Sequence, residues 1–244
     1  MLSTIFTANL LFIGTVQGMI IALIAMGIVL VYRSSRVINF AVGDLGVPAT
    51  ALLAIMVGIH HWPYWLGLIA ALAIGALSGT VVELAVIRRL FRAPRVIVLV
   101  ATIGVAELAQ AVTYALPNYR TGSLLTTFPT PFNGQWNIGA GITVSGGQLL
   151  ALILVPLTTL ALWLLLSHTT FGEAVRASVS NSDLARLTGI NPKNVSTAVW
   201  TIGGFLSALS VILIATESTS TDLVSVGPDT LLRGLVAAMC GGML

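Results

Sequence analysis

The stretch FGEAVRASVSNSDLARLTGINPKN, Phe171 to Asn194, is a polar island between two apolar segments, each long enough to cross a bilayer. Connections between packed helices are usually short. This one is long, basic and helix-patterned. Phe171–Ser180 and Asn181–Thr188 read as two short helices. Asn181 or Ser182 can cap the second by accepting bonds from unpaired N–H groups. Gly189 suits the left-handed position after a helix, with Ile190 as the apolar residue that follows. Asn191-Pro192 stops the helix from continuing. Such a helix-turn-helix can carry force into the segments beside it. It can equally lie at the membrane surface and bind headgroups through Arg176 and Arg186.

Working outward, the chain of 244 residues is 57% hydrophobic and only 8% charged. A soluble domain carries roughly 25% charged residues. With so little charge the chain cannot cover a globular surface, and lipid must be its main solvent. The net charge of +3 does not indicate nucleic-acid binding. The arginines are few and sit at the ends of apolar segments, as topology signals do. Cys240 is the only cysteine, which excludes an intrachain disulfide and a Cys-based metal site. His60, His61 and His168 show no metal-ligand spacing. The N-terminal stretch has no basic leader, and its apolar run is too long for a signal-peptide core, so it reads as a retained first span.

Seven apolar segments emerge: Leu10–Tyr32, Ile38–Ile59, Tyr64–Ile87, Val96–Leu116, Gly147–Ser167, Val195–Thr216 and Thr230–Leu244. The second is interrupted by Asn39, Gly43, Asp44, Gly46 and Pro48. The seventh is short for a span, so it reads as incomplete and the chain as truncated. Arg33 and Arg36, then Arg88, Arg89, Arg92 and Arg95, then Arg176, Arg186 and Lys193 fall in alternate loops. The positive-inside rule places those loops in the cytoplasm and the N-terminus outside. The expected architecture is an all-α polytopic transmembrane bundle, one transmembrane domain over 1–244. An external loop spans 117–146, with hairpin signals at GlnTrpAsnIle and IleThrVal. The cytoplasmic island spans 171–194. Trp62, Tyr64 and Trp65 fall where an outer aromatic belt belongs. Small residues at Gly14/Gly18/Ala22, Gly75/Gly79, Gly203/Ser207 and Gly204/Ala208 predict close helix packing.

Two polar features lie inside apolar segments. Asn39–Pro48 reads either as a broken helix lining a path or as an inner turn capped by Asn39, with Arg36 pairing Asp44. Glu107 stands near the middle of the fourth segment, where a charge costs about 3 kcal/mol. It is expected to face the bundle or a pore, with Thr102, Gln110 and Thr113 as polar neighbours, or to act as an interhelical lock. Glu83 is expected to pair with Arg88 or a neighbouring arginine. The only lysine, Lys193, follows Pro192 rather than a glycine-rich loop. The chain therefore has no Walker A motif with which to hold nucleotide phosphates.

The island GlyGluAlaValArgAla at 172–177, Asn181 and AlaArgLeuThrGlyIle at 185–190 resembles the coupling loop of ABC-importer permeases. It is most similar to the Liv-type branched-chain amino-acid permeases. ArgValIleAsnPheAlaValGlyAsp at 36–44 resembles that family's asparagine motif and favours the H-type subunit, with Asp44 where a glutamate is common. Glu83 with Arg88 to Arg92, then AlaThrIleGly at 101–104, resembles the third-to-fourth span junction. The resemblance implies a non-enzymatic permease of the bacterial inner membrane that binds no cofactor of its own. It implies four kinds of partner: a second, M-type permease subunit, two cytoplasmic ATPases that use ATP, an extracytoplasmic binding protein and lipid. Coupling to the ATPases would fall to Gly172, Glu173, Ala174, Arg176, Ala177, Asn181, Ala185, Leu187, Gly189 and Ile190. Pathway and gating roles would fall to Asn39, Phe40, Gly43, Asp44 and Glu107. Two other readings stand beside this one. An ion-coupled transporter or channel would use Glu107 as its ion site, and an importer could carry amides or urea. A scaffold made from a truncated permease is a third.

Overall fold

A computed structural model describes residues 8–35, 37–90, 93–117, 128–132, 134–139, 142–217 and 223–242. The helices are α1 (Ala8–Ser35), α2 (Val47–Gly58), α3 (Tyr64–Val82), α4 (Arg95–Ala115), α5 (Gly146–His168), α6 (Thr170–Ser180), α7 (Ser182–Leu187), α8 (Pro192–Glu217) and α9 (Leu223–Cys240). α3 ends in a π-helical turn, Glu83–Ile87. Strands β1 (Gln135–Gly139) and β2 (Ile142–Ser145) form an antiparallel hairpin that pairs Trp136 with Val144.

Among the described residues, five helices are long and apolar enough to cross a membrane: α1, α3 with its π turn, α4, α5 and α8. Each matches an expected segment to within a few residues. The second and seventh segments differ. Residues 37–46 form no helix, and α2 contains only 12 residues, about 18 Å or little more than half the hydrocarbon core. The expected span Ile38–Ile59 is thus an irregular inner half joined to an outer half-helix. α9 begins at Leu223 rather than Thr230, so part of the expected outer loop is helical. α9 also carries Pro228 and an exposed Asp229–Arg233 ion pair at 2.9 Å. Neither residue type favours an ordinary span.

α8 is the central pillar. Of its most apolar stretch 72% is buried, against 17% for the peripheral α5. Small residues make that centrality possible. A methyl on Gly79 would overlap the Trp200 carbonyl, one on Gly204 the Gly75 carbonyl, and one on Gly75 the Ala208 side chain. α3 and α8 therefore touch backbone to backbone, which in lipid gains dispersion contact without help from water. The other expected small-residue face is not used in this way: Gly14 and Gly18 have nothing within 4 Å of an added methyl.

At the outer end β2 runs directly into α5. Ser145 and Gln148 form a reciprocal capping box there, with Gln148 N–H donating to Ser145 Oγ at 3.2 Å and Ser145 N–H to Gln148 Oε1 at 3.0 Å. The hairpin is also tied to the start of α1, where Thr143 N–H donates to Asn9 Oδ1 at 3.3 Å. Trp62 and Trp65 are half exposed, as interfacial anchors should be. At the opposite end, the end of α1, the exit of the π turn, the start of α4, the end of α6 and the start of α8 surround one cavity. The arginine-bearing ends thus gather on one side, as the charge alternation requires.

The α3–α8 contact yields a paired prediction. Gly79→Ala should destabilise the bundle by about 1–3 kcal/mol through overpacking, while Gly14→Ala should change stability by less than about 0.5 kcal/mol. Denaturant unfolding in detergent, followed by tryptophan fluorescence, measures both. Equal effects would remove the basis for a specific α3–α8 seam.

Candidate functional site

The break before α2 lies deep in the bundle. Phe40 N–H donates to Thr102 Oγ1 at 3.2 Å, and Gln110 Nε2 donates to Asp44 Oδ1 at 3.0 Å. α4 serves as a ruler. Thr102 stands about 10 Å along it from Arg95 and Gln110 about 22 Å. The chain therefore climbs from the inner third to beyond the middle of α4 before α2 begins. The expectation that Asn39 and Asp44 sit near the inner end is corrected for Asp44.

Every side of this break is held. Asn39 Oδ1 accepts from Ala41 N–H at 2.9 Å, and Ser207 Oγ donates to the Val42 carbonyl. Leu45 N–H reaches Ala41 O at 2.9 Å, and Thr50 N–H reaches Gly46 O at 3.0 Å. The neighbours come close enough to require glycine. A methyl on Gly46 would strike the Ser207 carbonyl, and one on Gly43 the Gly227 carbonyl of α9. Asn39 and Asp44 are almost fully buried, and Phe40 is half-buried. Arg36 lies outside the described residues. The partner that Asp44 does have is Gln110, so the Asp44 bond crosses to α4 rather than closing a local turn.

Of the two placements expected for Glu107, the structure removes one, burial inside this chain's own bundle. It lies on the exposed side of α4 with Ile103 and Leu108, and does not face the bundle. Thr102 and Thr113 are buried on the opposite side and return their hydroxyls to α4 carbonyls. Of the polar neighbours expected for Glu107, Gln110 at i+3 lies nearest its face, whereas Thr102 and Thr113 fall on the far, buried face. Glu107 still lies within electrostatic range of Asp44.

The island folds largely as its sequence requires. Thr169 Oγ1 caps α6 by accepting from Gly172 N–H at 3.4 Å, and Asn181 Oδ1 caps α7 by accepting from Leu184 N–H at 3.1 Å. Gly189 has φ +86°, and Ile190 N–H reaches back to Ala185 O at 3.0 Å, closing the helix in a Schellman turn. Asn191 then caps α8 by accepting from Lys193 N–H at 3.1 Å, with Pro192 in the first helical position. The residues expected to couple to ATPases divide into three groups by burial. Gly172 and Ala185 are buried; Ala174, Ala177 and Ile190 are half-buried; Glu173, Arg176, Asn181, Leu187 and Gly189 are exposed. Gly172 is pressed onto the Leu166 carbonyl, which also accepts from Arg176 Nη1 at 2.5 Å. Arg176 thus clamps α6 to the end of α5. Val175 packs with Leu30, Ile87, Val195 and Trp200 in the inner core.

A polar knot joins the island's exit to α3. Glu83, 2% exposed, accepts from Thr197 Oγ1 at 2.8 Å and lies 3.5 Å from Arg88 Nε. Arg88 Nη2 donates to Thr197 Oγ1 at 2.8 Å and to the Lys193 carbonyl at 3.4 Å. The Glu83–Arg88 pair was legible; Thr197 and Lys193 were not, because they lie more than a hundred residues away. Sequence reading also missed Leu184 and the exposed apolar edge it forms with Leu187 on α7. Leu184 is 60% exposed and Leu187 84%.

The family model described as branched-chain amino acid transport system / permease component matches residues 10–244. The chain is 29% identical over 219 residues to the high-affinity branched-chain amino acid transport system permease protein LivH of Salmonella typhimurium, covering 84% of this chain and 69% of LivH. It is 26% identical over 241 residues to the corresponding protein BraD of Pseudomonas aeruginosa, covering 94% and 77%. It is also 29% identical over 238 residues to the ribose import permease protein RbsC of Escherichia coli, covering 97% and 70%. No solved structure gives a significant match. The match runs through the broken half-helix, the island and α9 alike, and the chain belongs to the branched-chain amino acid transport permease family of ABC transporters, as a multi-pass inner-membrane protein.

Proposed function

We propose that this chain forms the translocation path of an ATP-driven importer for branched-chain or related small amino acids. In this reading an H-type chain pairs with an M-type permease subunit. Two cytoplasmic ATPases dock on α6 and α7, and an extracytoplasmic binding protein delivers the solute. ATP is consumed by the partner subunits, and this chain binds no cofactor.

The observation that carries the reading is the exposed face of α4. Glu107 is open among apolar neighbours, with Asp44 and Gln110 just behind it. A carboxylate facing lipid at that depth is unfavourable by about 3 kcal/mol. Covered by a second subunit that leaves a wet path, the same face presents the Glu107 carboxylate to a passing solute, with the buried Asp44 adding its charge from behind. An amino-acid ammonium pairs with carboxylates, whereas a neutral sugar gains much less from them. α2 begins beside Asp44, and a half-helix N-terminus near the membrane middle suits the amino acid's carboxylate. This chemistry favours an amino acid over ribose.

Uptake of radiolabelled leucine and ribose by the reconstituted complex tests the substrate. Glu107→Gln keeps the shape and removes the charge. Leucine uptake should fall roughly ten- to a hundredfold, the value of a charge-assisted bond of about 1.5–3 kcal/mol. Unchanged uptake, or a preference for ribose, would overturn the substrate reading.

Coupling has its own test. The exposed Leu184 and Leu187 supply an apolar patch on a rigid, capped helix, the kind of anchor that carries docking energy. Leu187→Asp should reduce ATPase co-purification and ATP-dependent uptake by about tenfold or more, with the permease melting temperature unchanged. Transport that persists without any ATPase would exclude an importer of this class.

A further inference from the structure

The cavity at the inner end of the bundle has a volume of about 540 Å³. Arg33 from the end of α1 and Arg95 from the start of α4 both line it, and among the described residues that line it none is acidic. Neither arginine makes an ion pair among the described residues. Ser196, on α8, also lines the cavity. It is only 7% exposed, and its hydroxyl has no hydrogen-bond partner among the described residues. A helical serine or threonine commonly returns its hydroxyl to a carbonyl one turn back. Thr197 does so, to Lys193 O at 2.9 Å. Ser196 leaves its hydroxyl to the cavity. α4 starts here without a side-chain cap, so its first N–H groups and the positive end of its dipole are open as well.

Two unpaired guanidinium groups, a buried free hydroxyl and a helix N-terminus together form a site for a phosphate group. The remaining walls decide its source. Val37, Ile87, Leu90 and Val98 make them apolar, which suits a glycerol and the first carbons of an acyl chain. Next to the opening, Val96, Ile97 and Val100 form an exposed apolar strip along α4. The site also lies at the arginine-bearing end of the bundle, the level of the inner headgroups. We propose that this cavity holds the phosphate of an anionic lipid headgroup, with the acyl chains running along α4.

The ligand bridges α1, α4 and α6 across the cavity. Ser178 and Ser180 at the end of α6 line the same cavity, so the headgroup ties the island to α1 and α4. Its occupancy therefore reports on the position of α6, and movement of α6 changes its affinity by the same factor.

Native mass spectrometry of the full permease, exchanged into phosphatidylglycerol or phosphatidylcholine, tests the site. Phosphatidylglycerol should remain bound where phosphatidylcholine is lost. Arg33→Gln combined with Arg95→Gln should lower its retention by about tenfold or more. Ser196→Ala, which removes only the open hydroxyl, should lower retention by about threefold at an unchanged melting temperature. Equal retention of both lipids would overturn the proposal, as would full retention in either variant. Displacement of phosphatidylglycerol by millimolar inorganic phosphate would overturn the lipid source and assign the site to a soluble phosphate. If the double variant fails to fold, the serine variant still decides the matter.

Discussion

A membrane-spanning chain can leave the helix only where other protein takes over its backbone groups. An unsatisfied N–H or C=O in hydrocarbon costs several kcal/mol. In this chain that constraint governs the segment 37–46. Its carbonyls and amides are met by Thr102 from α4 and Ser207 from α8, and by its own Asn39. The arrangement needs α8 at the centre of the bundle, because only a central helix can reach the break from below while packing on α3. It also needs glycine at 43 and 46 so that α9 and α8 can approach. The close α3–α8 seam, the burial of α8 and the break before α2 are thus one structural solution. Loosening the seam would withdraw Ser207 and leave the Val42 carbonyl bare.

The same logic separates what the sequence revealed from what it hid. The full-length spans were legible because each is a continuous apolar run whose length alone sets the outcome. The island was legible because its signals are local: Asn181, Gly189 and Pro192 act within one or two turns. Segment two was legible as a break, from the polar residues at 39 and 44, but not in its depth. Depth depends on how far a non-helical chain climbs, which only its partners on α4 reveal. Glu107 shows the reverse case. Its spacing on α4 was plain, yet which face turns inward depends on the positions of Thr102 and Thr113, and those are fixed by tertiary contacts. The Glu83–Thr197 bond and the Arg33–Arg95 cavity lay outside reach for the same reason. The capping box at Ser145–Gln148 went unread, although serine followed three residues later by glutamine ahead of an apolar run is a local start signal.

The island's mechanical quality comes from how it is held at both ends. At its entrance, Gly172 and Arg176 lock α6 onto the last turn of α5. At its exit, Arg88 grips the Lys193 carbonyl and Thr197, while Glu83 accepts from Thr197. Val175 inserts between them into the inner core. A push on α7 is therefore not absorbed by a slack loop. Under the proposed docking of an ATPase, the push passes to α5 through a backbone clamp and to α3 and α8 through a buried carboxylate.

The π turn gives this last route its particular character. A π turn inserts an extra residue into the helical ladder, and such turns concentrate at functional positions because they reverse with little cost elsewhere. Here it spans Glu83–Ile87, with Arg88 N–H bonding the Glu83 carbonyl at 2.7 Å. Glu83 and Arg88 are thus the two ends of one irregular turn, and both hold α8. Shifting that turn toward regular α-helix would rotate one of them away from Thr197 while the other stays. The break before α2 rests on α8 about three turns further along. Under the proposed coupling, a movement begun at the island would reach Ser207, and with it the half-helix beside Asp44, along the single pillar α8.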